Sequence, residues 1–303
     1  MNYHDELEKQ KRWFWLRILS MLTVVWARVV LVFMISVLML MILSPPVVGI
    51  YRSITDPDCL NSVLHNAAID VEGASVLRVV NGRGDLSVLG RPGLTSVHVE
   101  GQVCAERGSA FHAESVVLNT GHSGEGIVVS VFMPRTGSRI GNGIEMNLEI
   151  FVPEGFSGVV VDNEEGSAYV SGIGELRANV GYGSIGASDI EGGVIVESLE
   201  GSMTLNGVTG DVAAGVIRGY GEVSLSGISG NVAIEDNRNG PTIISNIGGD
   251  VTVGSSGYGR LTVRNVAGNL SVADNPGGDI SVEEVEGFVQ VPETPEAVED
   301  PGA

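Results

Sequence analysis

Three tyrosines recur at a fixed interval: Tyr182, Tyr220 and Tyr258 stand 38 residues apart, each inside a Gly-Tyr-Gly. A phenol flanked by glycines has no neighbouring side chain to cover it, so such rings can stack on sugar rings or peptide groups. The competing reading is that duplication copied a tolerated turn residue. Glycan cleavage needs two carboxylates at a set separation, one with a raised pKa. The candidates Glu222, Asp279 and Glu283 are scattered, with no paired-Asp motif or basic strand beside them. His65, His98, His112 and His122 lack the spacing of metal ligands. No cofactor and no metal is therefore expected. Asp162-Asn163, Asp236-Asn237 and Asp274-Asn275 offer oxygens to Ca²⁺, but the calcium-roll nonapeptide GGxGxD is absent and Asx turns account for them. Arg83-Gly84-Asp85 spells a tripeptide of some integrin ligands, at a place where a turn before a strand is expected anyway.

The elements that must position these residues are repeats. From residue 159 the chain runs in units of about 19 residues, such as DVTVGSSGYGRLTVRNVAG and NLSVADNPGGDISVEEVEG, each ending in glycine. Every unit carries two short stretches that alternate apolar and polar, which makes two strands with one buried face. The mid-unit glycines Gly201, Gly221, Gly240, Gly259 and Gly278 each precede a closing glycine by nine residues: Gly210, Gly230, Gly249, Gly268 and Gly287. Between second strand and closing glycine, Gly207, Gly227, Asn246 and Asn265 suit a bend with positive φ, whereas Glu284 breaks that pattern.

Two such strands cannot bury their apolar faces alone, but coils stacked about 4.8 Å apart join them into interior ladders. The fold class expected is all-β: a β-solenoid of about seven two-strand coils of about 19 residues, with small residues at the inward positions Ala213, Ala233, Val253 and Val272. By that spacing the three tyrosines fall on one corner of every second coil, about 9.6 Å apart. Residues 74–158 read as an irregular β region that forms the first coils or covers the end of the stack, 159–291 as the solenoid, and 292–303 as a disordered acidic tail.

The formal charge is -20, and residues 1–28 hold five basic side chains against three acidic ones, so everything downstream carries about -22. Such a field repels phosphate backbones, which excludes nucleic acid as an expected partner. Val29 to Ile50 is an apolar run of about 22 residues, long enough to cross a bilayer as one helix. Arg28 and the preceding basic residues place the N-terminus in the cytoplasm by the positive-inside rule. The expectation is a single-pass protein of the inner membrane, anchored through 29–50, with a 51–73 stalk and its bulk outside the cytoplasm. A cleaved signal peptide would have a shorter apolar region and a small-residue cleavage site. Cys59 and Cys104 both fall on the external side, where a disulfide between them can persist.

The opening VLRVVNGRGDLSVLG, the segment LEIFVPEG at 148–155 and the succession of G-x-[VIL]-x-[VIL]-x-x-[VI]-x-G units resemble the bacterial putative-adhesin β-strand-repeat family, over about residues 74–291. That family is a domain of unknown function. The resemblance implies adhesion but transfers no catalytic or binding residues. It also implies membrane-anchored members associated with envelope stress. The expected function is adhesion, scaffolding or binding of an envelope or surface glycan or protein, with Tyr182, Tyr220 and Tyr258 as the ligand-binding candidates. A non-enzymatic part in envelope-stress signalling is the alternative, and a polysaccharide-active enzyme the third reading.

Overall fold

Within one repeat, Val212, Ala214 and Ile217 and then Val223, Leu225 and Ile228 are buried, while their neighbours face solvent. This alternation makes each strand half of a flattened coil. The computed structural model describes residues 61–292, apart from 72, 106–112, 125, 134, 137–138 and 141–142. In chain order the strands are β1 (Asn61–Asp70), β2 (Val76–Arg83), β3 (Leu86–Arg91), β4 (Ser96–Ala105), β5 (Val117–Ser123), β6 (Gly126–Phe132), β7 (Arg135–Thr136), β8 (Arg139–Ile140), β9 (Ile144–Pro153), β10 (Phe156–Glu165) and β11 (Ala168–Tyr182). There follow β12 (Ile185–Ile190), β13 (Val194–Glu200), β14 (Met203–Val208), β15 (Val212–Arg218), β16 (Val223–Ile228), β17 (Val232–Asn237), β18 (Thr242–Ile247), β19 (Val251–Ser255), β20 (Leu261–Val266), β21 (Leu270–Asp274), β22 (Ile280–Val285) and β23 (Val289–Gln290).

The molecule is an all-β solenoid, with about seven turns in succession from β10 to β22. One parallel ladder runs β10, β11, β13, β15, β17, β19, β21, and the other β11, β12, β14, β16, β18, β20, β22. β11 serves both: Ala168 to Ile173 pair with β12, and Leu176 to Tyr182 with β13. Between the two ladders lies one continuous core of Val, Ile, Leu and Ala. Each fully buried Val, Leu or Ile contributes about 1.5–3 kcal/mol relative to exposure. Within the stack, from β10 to β21, the ladders satisfy the strand backbones by pairing them with the coils before and after.

The N-terminal strands enter the stack out of chain order. β2 lies between β6 and β10, and β3 lies between β9 and β11, all parallel. β6 and β9 thus form the coil beneath β2 and β3, although they follow them in sequence. Beyond that coil the pairing turns antiparallel: β5 closes on β6, β4 on β9, and β1 on β4. β7 and β8 form a separate two-stranded ribbon.

Two columns of turn residues explain the glycine content. A Cβ on Gly240 would lie 1.8 Å from the carbonyl oxygen of Gly221, and one on Gly259 would lie 1.9 Å from that of Gly240. Coils approach too closely there for any side chain. In the second column φ is positive at Gly207 (69°), Gly227 (65°), Asn246 (58°) and Asn265 (51°). Glu284 adopts the same conformation, with φ of 55°. The stacking therefore imposes the bend even where the residue disfavours it.

One expected register is corrected. Val253 and Val272 do face inward, but Ala213 and Ala233 are exposed, and Ala214 and Ile234 take the inward places. With a period of two, assigning a strand one residue out of register inverts both faces.

Candidate functional site

The tyrosines sit on one corner. Gly183, Gly201, Gly221, Gly240 and Gly259 stack in a single column: a Cβ on Gly201 would lie 1.8 Å from the Gly183 oxygen, and one on Gly221 would lie 2.3 Å from the Gly201 carbonyl carbon. Tyr182, Tyr220 and Tyr258 immediately precede every second member of that column. Glu200, Asn239 and Gly277 take the same place on the coils between and beyond them. The three residues are 61%, 86% and 71% exposed. Tyr258 leans over the following coil, where a Cβ on Gly277 would come within 2.6 Å of its ring. At about 4.8 Å per coil, the backbones of successive tyrosines lie about 9.6 Å apart along the rod, and their exposed side chains are open to a ligand running along it.

The Asp-Asn pairs are divided by the alternation. Asn163 and Asn237 are buried and donate from Nδ2 to the carbonyls of Gly166 (2.7 Å) and Gly240 (3.1 Å). Asn275 does the same to Gly278 at 2.5 Å, and Asn81 to Gly84 at 3.1 Å. Each is an internal clip on the tyrosine corner. The aspartates point outward, Asp162 to Arg78 at 2.7 Å and Asp236 to Arg238 at 2.9 Å, so the pairs do not present a shared set of oxygens. Among the described residues no group of three or more His, Cys, Asp or Glu converges on one point.

Arg83-Gly84-Asp85 is built into the stack. Arg83 pairs with Glu165 at 3.2 Å, and a Cβ on Gly84 would lie 2.3 Å from the Met146 oxygen. Asp85 Oδ1 accepts the Ser167 N–H at 2.8 Å, while its own N–H donates to Asn147 Oδ1 at 2.8 Å. The tripeptide is a coil junction, not a free loop.

Asp279 and Glu283 pair with Arg260 (3.5 Å) and Arg264 (3.4 Å) on and beside β22, while Glu222 is exposed three coils earlier. No catalytic pair forms from these. Two other carboxylates, which the spacing of residues offers no reason to join, do meet: Glu100 on β4 stands directly opposite Glu149 on β9. Burial first, then the charge of Glu100, raises the Glu149 pKa, against the pull of Arg91. Arg91 also lies over the Phe151 ring, 5.3 Å from its centroid. His98, one row along, meets Ser96 Oγ at 3.0 Å. Each acid stands alone in an apolar alternation, HVE and LEI. Only the antiparallel register, which no local pattern encodes, brings the two together.

His65 is half-buried, with Nε2 lacking a hydrogen-bond partner, and His122 is exposed. His112 lies outside the described residues. Cys104 is buried and disulfide-bonded, while Cys59, its expected partner, lies outside the described residues. The same holds for the expected membrane segment 29–50. Among the described residues no helix is long and apolar enough to cross a membrane.

The sequence matches no protein-family model and no curated protein. Among solved structures the chain is similar to a putative adhesin from Bacteroides fragilis, at 10% identity over 77% of this chain and 98% of that one, with a TM-score of 0.40. It is similar also to a putative cell adhesion protein from Clostridium sporogenes, at 11% identity over 74% and 99%, with a TM-score of 0.34. A third similar structure is a putative lipid binding protein from Parabacteroides distasonis, at 13% identity over 74% and 96%, with a TM-score of 0.40.

Proposed function

We propose that this chain is a membrane-anchored, extracytoplasmic β-repeat protein that binds an envelope or surface glycan or protein along its tyrosine corner. The observation that carries this reading is the alignment of Tyr182, Tyr220 and Tyr258, three well-exposed rings on one glycine column of a rigid rod. Large aromatic side chains left in water at regular spacing offer a ligand apolar area that is already in place, so binding incurs little ordering cost. The surrounding acidity directs the choice toward neutral or cationic partners. Anchoring through residues 29–50, with the N-terminus in the cytoplasm and the rod outside the inner membrane, is part of the proposal and rests on the apolar run and its flanking charges. The reaction-bearing groups a hydrolase needs are not assembled on this corner.

The test is binding of the full-length chain, in mild detergent, to immobilised envelope glycans and to whole cells, beside the triple variant Tyr182→Ser, Tyr220→Ser, Tyr258→Ser. Binding by the wild type that is lost in the variant, with unchanged far-UV circular dichroism, supports the proposal. Binding that survives the triple substitution sinks it.

A further inference from the structure

The two ends of the stack are finished differently. At the first end the opening coil is extended by antiparallel strands, β5 on β6 and β4 then β1 on β9. At the other, among the described residues, β22 is paired on one side only, with β20, and β23 covers only Leu270 and Ser271 of β21. Ile280, Val282 and Val285 are only partly buried there, whereas their partners one coil back, Leu261, Val263 and Val266, are wholly buried. Phe288 and Val289 beside them are 86% and 47% exposed. A strand edge with unpaired backbone groups and an unfinished apolar row is a template for one more strand.

Charge specifies which strand. Two outward columns cross the last two coils, each running from a base to an acid: Arg260 to Asp279, and Arg264 to Glu283. Each column ends on the acid, 83% and 59% exposed at its side chain. Glu284 and Glu286 add to the same rim. We propose that the β22 edge receives an extended basic segment of a partner protein by strand addition. Its Lys or Arg residues, four apart, lie over Asp279 and Glu283, and its apolar residues continue the rows of Ile280, Val282 and Val285. A second copy of the same edge would set Asp279, Glu283, Glu284 and Glu286 against their like, which electrostatic complementarity disfavours. The chain's own residues 293–303 are acidic and carry Pro295 and Pro301, which cannot donate to a ladder.

The chain contains a sequence with the required pattern, Arg260 to Val266, RLTVRNV. The probe is this peptide, acetylated and amidated, added to the full-length chain in mild detergent, with ELTVENV as the charge-reversed control. Saturable binding of RLTVRNV alone is expected, weakened by salt and by roughly fivefold or more in Asp279→Asn/Glu283→Gln. Hydrogen exchange should show new protection of the amides of 280–285. Equal binding of the two peptides, or binding without that protection, overturns the proposal. So does concentration-dependent dimerisation that protects 280–285 in the absence of peptide. Tyr258 leans over Gly277, close to Asp279, but Tyr182 and Tyr220 lie on earlier coils, so the variant Tyr182→Ser/Tyr220→Ser should bind RLTVRNV as the wild type does, and either proposal can fail without the other.

Discussion

Asn231 binds one carboxylate oxygen of Asp211 twice, through its backbone N–H at 2.7 Å and its side-chain Nδ2 at 3.1 Å. The arrangement repeats up the rod: Asn231 Oδ1 accepts the Asp250 N–H at 2.9 Å, and Asp250 Oδ1 accepts both the N–H (2.7 Å) and Nδ2 (3.0 Å) of Asn269. Asn269 Oδ1 then accepts the N–H of Phe288 at 2.9 Å, which closes the column. Alternating Asp with Asn keeps a donor between successive carboxylates. Replacing Asn231 with Asp removes that donor and stacks three like charges. The expected loss is about 1 kcal/mol at neutral pH, recovered on acidification, and urea unfolding at two pH values reads it.

Gly240 has no room for a side chain, because the added Cβ would lie 1.8 Å from a backbone oxygen of the neighbouring coil. Gly240→Ala should destabilise the rod by about 3 kcal/mol or more, since backbone must move on both coils. Gly82 has nothing within 4 Å of the same position, so Gly82→Ala should change stability by about 0.5 kcal/mol or less. Equal effects in thermal unfolding would show that the glycines are not there for close approach.

Glu284 holds a φ of 55° in the column where the coils before it use Gly, Asn or, at Asp189, Asp. Glu284→Gly should stabilise the last coil by about 1 kcal/mol, as left-handed backbone disfavours a side chain with Cβ. The gain should appear as slower amide exchange in β22. Unchanged or faster exchange would mean that the strain is relieved some other way.

Glu149 carries a raised pKa, chiefly from burial and then from Glu100. An acid whose folded pKa exceeds its unfolded value stabilises the fold when protonated, fully so below the unfolded pKa. That contribution fades as pH rises through the folded value. Glu149→Gln should therefore melt higher than the wild type at pH 7, and the gap should close near about pH 4. A gap that is constant with pH would show that the charge of Glu149 is not the cause.

The amino-acid order alone determined the repeat, its two strands and its glycine corners, because a coil is a local object. Its apolar alternation and turn residues all lie within about 19 positions. It also placed Tyr182, Tyr220 and Tyr258 on one corner, since equal spacing in a periodic chain becomes alignment in space. Tertiary structure decided what depends on contacts between distant segments. The insertion of β2 and β3 between β6–β9 and β10–β11 leaves no periodic mark, because strand pairing there is chosen by which open edge a coil meets. The facing of Glu100 and Glu149, far apart along the chain, is likewise a matter of antiparallel register. The outward turn of Ala213 and Ala233 came from the stacking as well: alanine is small enough for either face, so only the neighbouring Val212 and Ala214 of the packed core could say which way the strand turned.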